Sequence, residues 1–567
     1  MQKRWQIKDQ PDAAEVALLQ DALQVNETIA YLLNQRGIKT YDEAHTFFRP
    51  SLDTLHDPFL MKDMDKAVDR LIEAVSKGQR IMVYGDYDVD GTTSVATFYG
   101  FLNTFYENME FYIPDRYGEG YGVSQKGIQH AAENKVSLIV TLDCGIKANE
   151  RVQEANDFGI DMIICDHHNP GEKLPPALAV LDPKREDCDY PYKELSGCGV
   201  GFKLLHGYCL RNDISLGKLY DYLDLLAVSI ASDIVPITGE NRVLTHFGLK
   251  KLNQNPRPGL QALINFNKSK KILTTSGIVF GIGPRINAAG RMAHAGAAVN
   301  LLLAKNEEEA VELANIIDIK NDSRRDLDSA ITEEAHQMIA ANEGDLMSKS
   351  TVLFKKDWHK GVIGIVASRC IDKYHRPTVI LTESNGKVTG SARSVLGFNV
   401  YEAIANCSDL LEQYGGHMYA AGVTMDVKNV EAFRLRFEAE VARTITDDQL
   451  IPTIAIDTVI FLDEIDQKFY RIVMQMGPFG PQNMHPVFLS ENVHADHAKI
   501  LKGDHLKFMV KQEGTEASID AIGFGLDQYY DMINSGMKFN LVYTIEENDF
   551  RGRKSLQLFV KDIKFID

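Results

Sequence analysis

The sequence predicts a multidomain α/β protein whose first large unit is a parallel, doubly wound sheet. Three observations carry this. Continuous apolar runs recur with helix-like stretches between them. Four of these runs end in acidic clusters. The length of 567 residues exceeds one core and suggests three or four domains at about 150 residues each. The acidic clusters are Gly85-Asp86-Tyr87-Asp88-Val89-Asp90-Gly91, Leu142-Asp143-Cys144-Gly145, Cys165-Asp166-His167-His168 and Ala231-Ser232-Asp233-Ile234.

Residues 1–75 have helical apolar spacing at Ala14, Val16, Leu18 and Leu19 and again at Ala30 to Leu33, with no chemistry assigned. Residues 76–240 form the acidic-edge domain. Ile81 to Tyr84, Ser137 to Thr141 and Met162 to Ile164 each run into a cluster, and Phe111 to Ile113 and Ala177 to Leu181 end near Asp115 and at Asp182. Apolar runs bounded by turns fit strands buried on both faces. Thr93 to Phe105 and Lys126 to Glu133 are predicted helices between them, which makes the sheet parallel. In such sheets ligands bind beyond the carboxyl ends of the strands, so acids from several strands meet at one edge.

Residues 241–345 are predicted to be a helical connector, with a long helix opening near Asn306 and Glu309 as its capping-box partner. Residues 348–446 form a second α/β unit, with strands at Thr351 to Phe354 and Thr378 to Leu381 and a glycine turn at Gly415-Gly416. In residues 450–567, Leu506, Phe508 and Val510 alternate with Lys507, Met509 and Lys511. Phe539 to Ile545 and Leu556 to Val560 are further strands, so a small barrel is expected.

Composition narrows the function. Apolar content of 44% and charged content of 25% are those of an ordinary globular protein. No apolar run reaches the ~20 residues of a membrane helix. Met1 to Lys8 is basic with no apolar stretch after it, so no signal peptide is expected. Seven cysteines without a Cys-x-x-Cys pair argue against a disulfide framework and fit a reducing cytoplasm. The net charge of −18 argues against a general DNA-coating protein. It leaves a nuclease open, because affinity follows the local Lys and Arg near the phosphates.

Clustered carboxylates repel one another unless a cation lies among them, and carboxylates with imidazole suit Mn2+ or Mg2+. The residues therefore point to a two-metal hydrolase. There is no Gly-x-Ser-x-Gly elbow and no Walker loop, against acyl transfer and ATP-driven work. A bland reading stands beside this one, because a single Asp at a strand end is often a helix N-cap. Asp221 and Asp224 compete with Asp233 for a place in the cluster.

The triplet Asp166-His167-His168, the stretches Phe280 to Arg291 and Trp358 to Arg369, Gly415-Gly416-His417, and Asn548 to Leu558 occur in order along the chain. Through them the chain resembles the DHH phosphoesterase superfamily and, within it, the RecJ family of single-strand-specific DNA exonucleases. The resemblance implies a DHH domain, a DHH-associated second α/β domain and a C-terminal OB-fold barrel. It implies two Mn2+ or Mg2+ ions held by Asp88, Asp90, Asp143, His167 and Asp233, with Asp143 bridging. Asp86 and Asp166 orient the ligands, and His168 faces the phosphate. Arg116, Arg285, Arg291, Ser391, Arg393, Gly415, Gly416 and His417 surround nucleotide phosphates and the strand end. Lys507, Arg551, Arg553 and Lys554 either contact DNA in the barrel or are ordinary exposed strand charges. Phe479 to Pro486 keeps the family's Phe-Gly start but lacks its Gly-Asn-Pro.

The activity implied is hydrolysis of single-stranded DNA from the 5′ end in repair and recombination. The implied partners are single-stranded DNA, a single-strand-binding protein and a helicase, with a monomer and no membrane. A phosphodiesterase of short oligonucleotides or cyclic dinucleotides is the first alternative, and a non-catalytic DHH scaffold the second.

Overall fold

The computed structural model describes residues 3–266, 272–292, 294–341, 344, 347–550 and 552–566. The chain falls into two units: Trp5–Ile286 with Ala295–Leu313 and Ala455–Asp567, and Asn287–His294 with Ala314–Ile454 and the first residues of the chain. No helix among the described residues is long and apolar enough to cross a membrane.

The first unit opens with helices α1 (Ala13–Leu23), α2 (Glu27–Asn34) and α3 (Tyr41–Phe48). Polar caps set their starts: Asp12 accepts from the N–H groups of Ala14 and Glu15, and Thr40 and Glu43 form a capping box. After α4 (Met64–Ser76) come β1 (Ile81–Gly85), α5 (Val89–Leu102), β2 (Met109–Tyr112), α6 (Gln125–Glu133), β3 (Leu138–Leu142), α7 (Asn149–Asp157), β4 (Asp161–Cys165) and β5 (Ala179–Leu181). The strands form one parallel sheet in the order β2-β1-β3-β4-β5.

Period-2 alternation divides the sheet between two cores. Ile81, Val83, Val140 and Ile163 face α4, α5 and the helices α8 (Gly197–Arg211) and α9 (Leu223–Ser232), while Met82, Tyr84, Ile139 and Ile164 face α6 and α7. This is the predicted doubly wound layer. One prediction shifts: α5 begins at Val89, inside the first acidic cluster, four residues before the expected start. The Asp88 carboxylate caps it, which draws the helix forward.

Beyond α10 (Gly239–Gln254) lies the connector helix α11 (Glu307–Ala340). Its cap is close to the one predicted. Asn306 accepts from Glu309 N–H at 2.9 Å, while the Glu309 carboxylate reaches Lys305 N–H, one residue earlier than a capping box requires.

The second unit holds β6 (Thr351–Phe354), α12 (Ile363–Tyr374), β7 (Thr378–Ser384), β8 (Lys387–Arg393), β9 (Gln413–His417), β10 (Ala420–Met425) and α13 (Val430–Thr444). The sheet order is β9-β10-β8-β7-β6, parallel only between β6 and β7. Val379, Leu381, Val388 and Val423 bury against Phe433, Phe437 and Val441 of α13, and Ile380 packs on α12. Gly415-Gly416 is not a turn, as expected from sequence, but part of the exposed edge strand β9; the chain reverses at Met418-Tyr419. Gly416 has φ +146°, and a Cβ there would lie 2.3 Å from the Ala420 carbonyl oxygen, so the glycine serves close strand pairing.

The last stretch returns to the first unit. The short β11 (Thr458–Val459) precedes the strands β12 (Phe488–Leu501), β13 (His505–Gln512), β14 (Ser518–Gly523), β15 (Phe539–Phe550) and β16 (Arg553–Phe565). The order β12-β13-β14-β16-β15 closes because β15 pairs back onto β12. Register shifts at Ser490/Val493 and Asp496/Lys499 let β12 serve two neighbours. Leu506, Phe508 and Val510 point inward, as their alternation predicts. The barrel does not stand alone: Val16, Leu19, Ile29, Leu32 and Leu33 of α1 and α2 share its core with Phe469, Phe488 and Leu506. Residues 1–75 therefore divide, α1 to α3 belonging with the barrel and α4 with the parallel sheet.

Candidate active site

At the carboxyl ends of β1, β3 and β4 the expected side chains converge with the C-terminus of α9. His167 Nε2 lies 3.1 Å from Asp143 Oδ1, 3.4 Å from Asp233 Oδ2 and 3.8 Å from Asp90 Oδ2. Two overlapping groups bring ligand atoms within 4.8 Å of one another: Asp90, His167 and Asp233, and Asp143, His167 and His168. Asp90, Asp143 and His167 are 1, 1 and 5% exposed.

Local structure explains each position. Asp88 is the N-cap of α5 and accepts from Gly91 N–H at 3.0 Å, so the bland capping reading and membership of the acid cluster hold for one residue. Gly91 lets the helix pass over the strand end, since a Cβ there would lie 2.3 Å from the Asp86 carbonyl oxygen. Asp143 has φ +60°, a strained conformation that Asp tolerates better than most residues. Asp233 is the C-cap of α9. Its rival Asp224 is fully buried and held by Arg257 at 2.8 Å, which removes it from the cluster. Of the other strand-end acids, Asp115 accepts from Tyr117 and Gly118 N–H in a turn, and Asp182 accepts from Lys184 N–H.

Sequence reasoning missed the residues that anchor Asp90. Gly197 and Cys198, at the N-terminus of α8, donate N–H bonds to it at 2.7 and 3.0 Å, and Ser229 Oγ donates at 2.6 Å. The helix end places positive partial charge on that carboxylate. The Ser196-Gly197-Cys198-Gly199 run was a legible helix start, but its partner lies 107 residues away.

Charge in the cluster is poorly compensated. Burial, then repulsion from Asp90, Asp88 and Asp233, holds the Asp143 carboxyl well above its usual range. Burial and neighbouring carboxylates raise Asp86, Asp88 and Asp233 as well. Burial pushes His167 down to about 4. Both His167 ring nitrogens and Asp143 Oδ1 are buried without a hydrogen bond. Orphaned donor and acceptor atoms are costly, and oxygen and nitrogen ligands crowded in this way fit Mn2+ or Mg2+.

Asp166 differs. It accepts from the N–H groups of Ile146, His167 and His168 and from His168 Nδ1 at 2.7 Å. Burial would raise its carboxyl, but the His168 hydrogen bond and the imidazole charges outweigh burial and hold it well below the usual range. The same pair raises His168 against the opposing effect of burial. His168 Nε2 meets the Tyr121 hydroxyl at 3.2 Å, a contact with no local cue along the chain.

The remaining predicted residues are spread more widely. Arg116 stacks 4.8 Å from the Tyr87 ring beside the acid edge. Arg285 donates to the Gly281 carbonyl, and Arg291 donates to the Gly361 carbonyl. In the second unit Ser391 pairs with Gly422 and Gly422 with Gly415, while Arg393 pairs with Ala420 and Ala420 with His417. Directly opposed residues share a face, so Ser391, Arg393, Gly415 and His417 lie on one side of the sheet. Gly416 points to the other side. In the barrel Lys507 pairs with Asp520 and Lys554 with Glu547, so both charges are answered internally. Arg551 lies outside the described residues. The barrel instead offers Phe524, 48% exposed, with its ring 4.4 Å from His505 and 5.2 Å from Phe559.

Comparison with known proteins gives a consistent pattern. Residues 80–230 match the model of the DHH family, N-terminal domain, residues 348–443 that of the DHHA1 domain, and residues 456–562 that of the RecJ OB domain. The single-stranded-DNA-specific exonuclease RecJ of Bacillus subtilis is 36% identical over 99% of this chain and 70% of its own. The Escherichia coli protein of that name is 32% identical over 89 and 90%. The crystal structure of RecJ in complex with Mn2+ from Thermus thermophilus matches with a TM-score of 0.84 at 28% identity, over all of this chain and 80% of that one. The Mg2+ complex from that organism gives 0.78 at 26% identity, over all of this chain and 79% of that one.

Proposed function

The chain belongs to the RecJ family of single-stranded-DNA-specific exonucleases, and from that premise we propose that it hydrolyses phosphodiester bonds of single-stranded DNA at the Asp90–Asp143–His167–Asp233 cluster. The observation that carries this reading is the buried cluster itself, in which the Asp143 and Asp233 carboxyls are raised and both His167 ring nitrogens and Asp143 Oδ1 make no hydrogen bond. Asp88, Asp90, Asp143, His167 and Asp233 would hold two Mn2+ or Mg2+ ions, which supply an activated water and offset phosphate charge.

The protein's own groups do the rest. The α8 N-terminus and Ser229 hold the Asp90 side chain in place facing the cluster. Asp166 locks the His168 ring and favours its protonated form, so its Nε2 side presents a charge-assisted donor to a phosphate oxygen. Tyr121 orients that donor. Arg116, Arg285, Arg291 and the Ser391–Arg393–Gly415–His417 face are assigned to nucleotide phosphates and the 5′ end, through bidentate guanidinium contacts and exposed backbone. Gly416 is assigned there through its backbone. The Phe524–Phe559 pair suits base stacking along a single strand. A 5′ polarity, a role in repair and recombination, action as a monomer, and partnership with a single-strand-binding protein and a helicase complete the reading. The seven buried, unpaired cysteines fit a reducing cytoplasm.

The test is hydrolysis of 5′- and 3′-labelled oligonucleotides, single- and double-stranded, with Mn2+, Mg2+ or chelator. Cation-dependent release of mononucleotides from the 5′ end of single strands is expected. Activity that persists in chelator, or cleavage only of dinucleotides, would overturn the proposal.

A further inference from the structure

Away from the carboxylate cluster, a cavity of about 480 Å3 opens in the first unit. Three stretches meet there: α3 with the loop before it, the N-terminus of α10, and the loop ahead of the barrel that carries Gln482 and Asn483. That loop is the one whose sequence departs from the family pattern. Ile38, Phe47, Ile237 and Val243 give the cavity apolar walls.

One side is cationic. Arg242 is 5% exposed and stacks 3.7 Å over the Phe47 ring. It donates only to carbonyl oxygens: Phe47 at 2.7 Å, Gly477 at 2.8 Å and Met476 at 3.3 Å. Its Nε is buried without a partner. Arg36, on the same side, donates to Leu32 and Met484 carbonyls and to Asn483 Oδ1. Neither arginine has an ion pair among the described residues. Burial alone pulls Arg242 down to about 10. A buried cation that faces carbonyls alone lacks a counter-ion.

The sixteen-residue helix α10 starts at this cavity. Its N-cap Thr238 makes no side-chain capping bond, because its hydroxyl meets Tyr192 instead. An uncapped helix start favours anions. Across the cavity, the Glu43 carboxylate is taken by the Lys39 and Thr40 N–H groups. Asp42 is exposed and adds a single acceptor there.

The geometry points to a second ligand site that takes a nucleoside monophosphate: phosphate against Arg36, Arg242 and the α10 N-terminus, base between the apolar walls, and exocyclic amine toward Asp42. Such pockets at domain junctions, apolar with a few convergent polar groups, are the usual form of a small-molecule site. The choice of a mononucleotide rests on the reaction proposed above, whose product it is.

The test is equilibrium dialysis of labelled dAMP against the full-length Asp143→Asn protein in chelator, which removes cation-dependent binding at the acid cluster. One saturable equivalent is expected. Thr46→Trp, at an exposed lining position, is expected to weaken it at least tenfold with an unchanged Tm. Deoxyadenosine, lacking the phosphate, is expected to bind at least tenfold more weakly than dAMP. No saturable binding to Asp143→Asn, or equal affinity with Thr46→Trp, would overturn the site. Absence of nuclease activity in the unmodified protein would instead count against the reaction, so the two failures are separable.

Discussion

Two buried groups of ionisable side chains occupy the first unit and are built on opposite principles. In the Lys203–Glu240 pair both charges are answered. Lys203 Nζ, fully buried, reaches Glu240 Oε1 and the His56 carbonyl at 2.7 Å each, and Glu240 also accepts from the Tyr190 hydroxyl and His56 N–H. Around Asp143 and His167 the carboxylates repel, three ring or carboxyl atoms make no hydrogen bond, and no Lys or Arg among the described residues enters the cluster within ion-pair distance. Burial of charge by itself is therefore not the mark of a functional site. The mark is burial that the protein leaves uncompensated.

Four measurements would sharpen or break this contrast. Asp143→Asn keeps the strained backbone that Ala would resist and relieves the repulsion among the buried carboxyls, so it should lower nuclease turnover by at least about 10^3-fold without lowering the denaturation midpoint at neutral pH. Retained turnover would remove Asp143 from the reaction. Glu240→Ala should do the reverse. It strands a buried ammonium and should destabilise the fold by about 3–5 kcal/mol in urea unfolding, with Mn2+ giving no selective rescue. A loss below about 1 kcal/mol, the scale of an exposed pair, would mean that the Lys203 pair is not a structural charge.

Divalent cation is the third probe. At 100 times its Kd, Mn2+ should stabilise the fold by about 2.7 kcal/mol, read as a rise in Tm. The effect should be larger at pH 8 than at pH 5. Carboxyls raised in the folded state are protonated at low pH and lose stability as pH climbs past their unfolded values, so the cation replaces those protons. His167, lowered to about 4, acts oppositely, adding stability as pH rises from there toward 6.5. A cation effect independent of pH would contradict the assignment. The smallest effect belongs to Tyr121→Phe, which removes one hydrogen bond to His168 and should reduce kcat about fivefold, near 1 kcal/mol, with little change in Tm.

Much of the first unit was readable because its cues are local. β1, β3 and β4 appear as apolar runs, and the inward residues of β13 as strict alternation. Where local cues admitted two meanings, the chain's own chemistry misled: Gly415-Gly416 reads as a turn yet lies in an edge strand, and Thr93 is not the start of α5 because Asp88 caps the helix earlier. Residues 1–75 showed helical periodicity but nothing of what their apolar faces would meet.

The amino-acid sequence alone determined which donors this protein owns and which of them end apolar strands, because side-chain type and short-range periodicity are properties of neighbouring residues. Tertiary structure alone decided that Asp224 is taken by Arg257, that the α8 N-terminus secures Asp90, and that α1 to α3 complete the barrel core. Those pairings join residues tens to hundreds of positions apart, and only the packing of sheet, helices and barrel brings them within bonding distance.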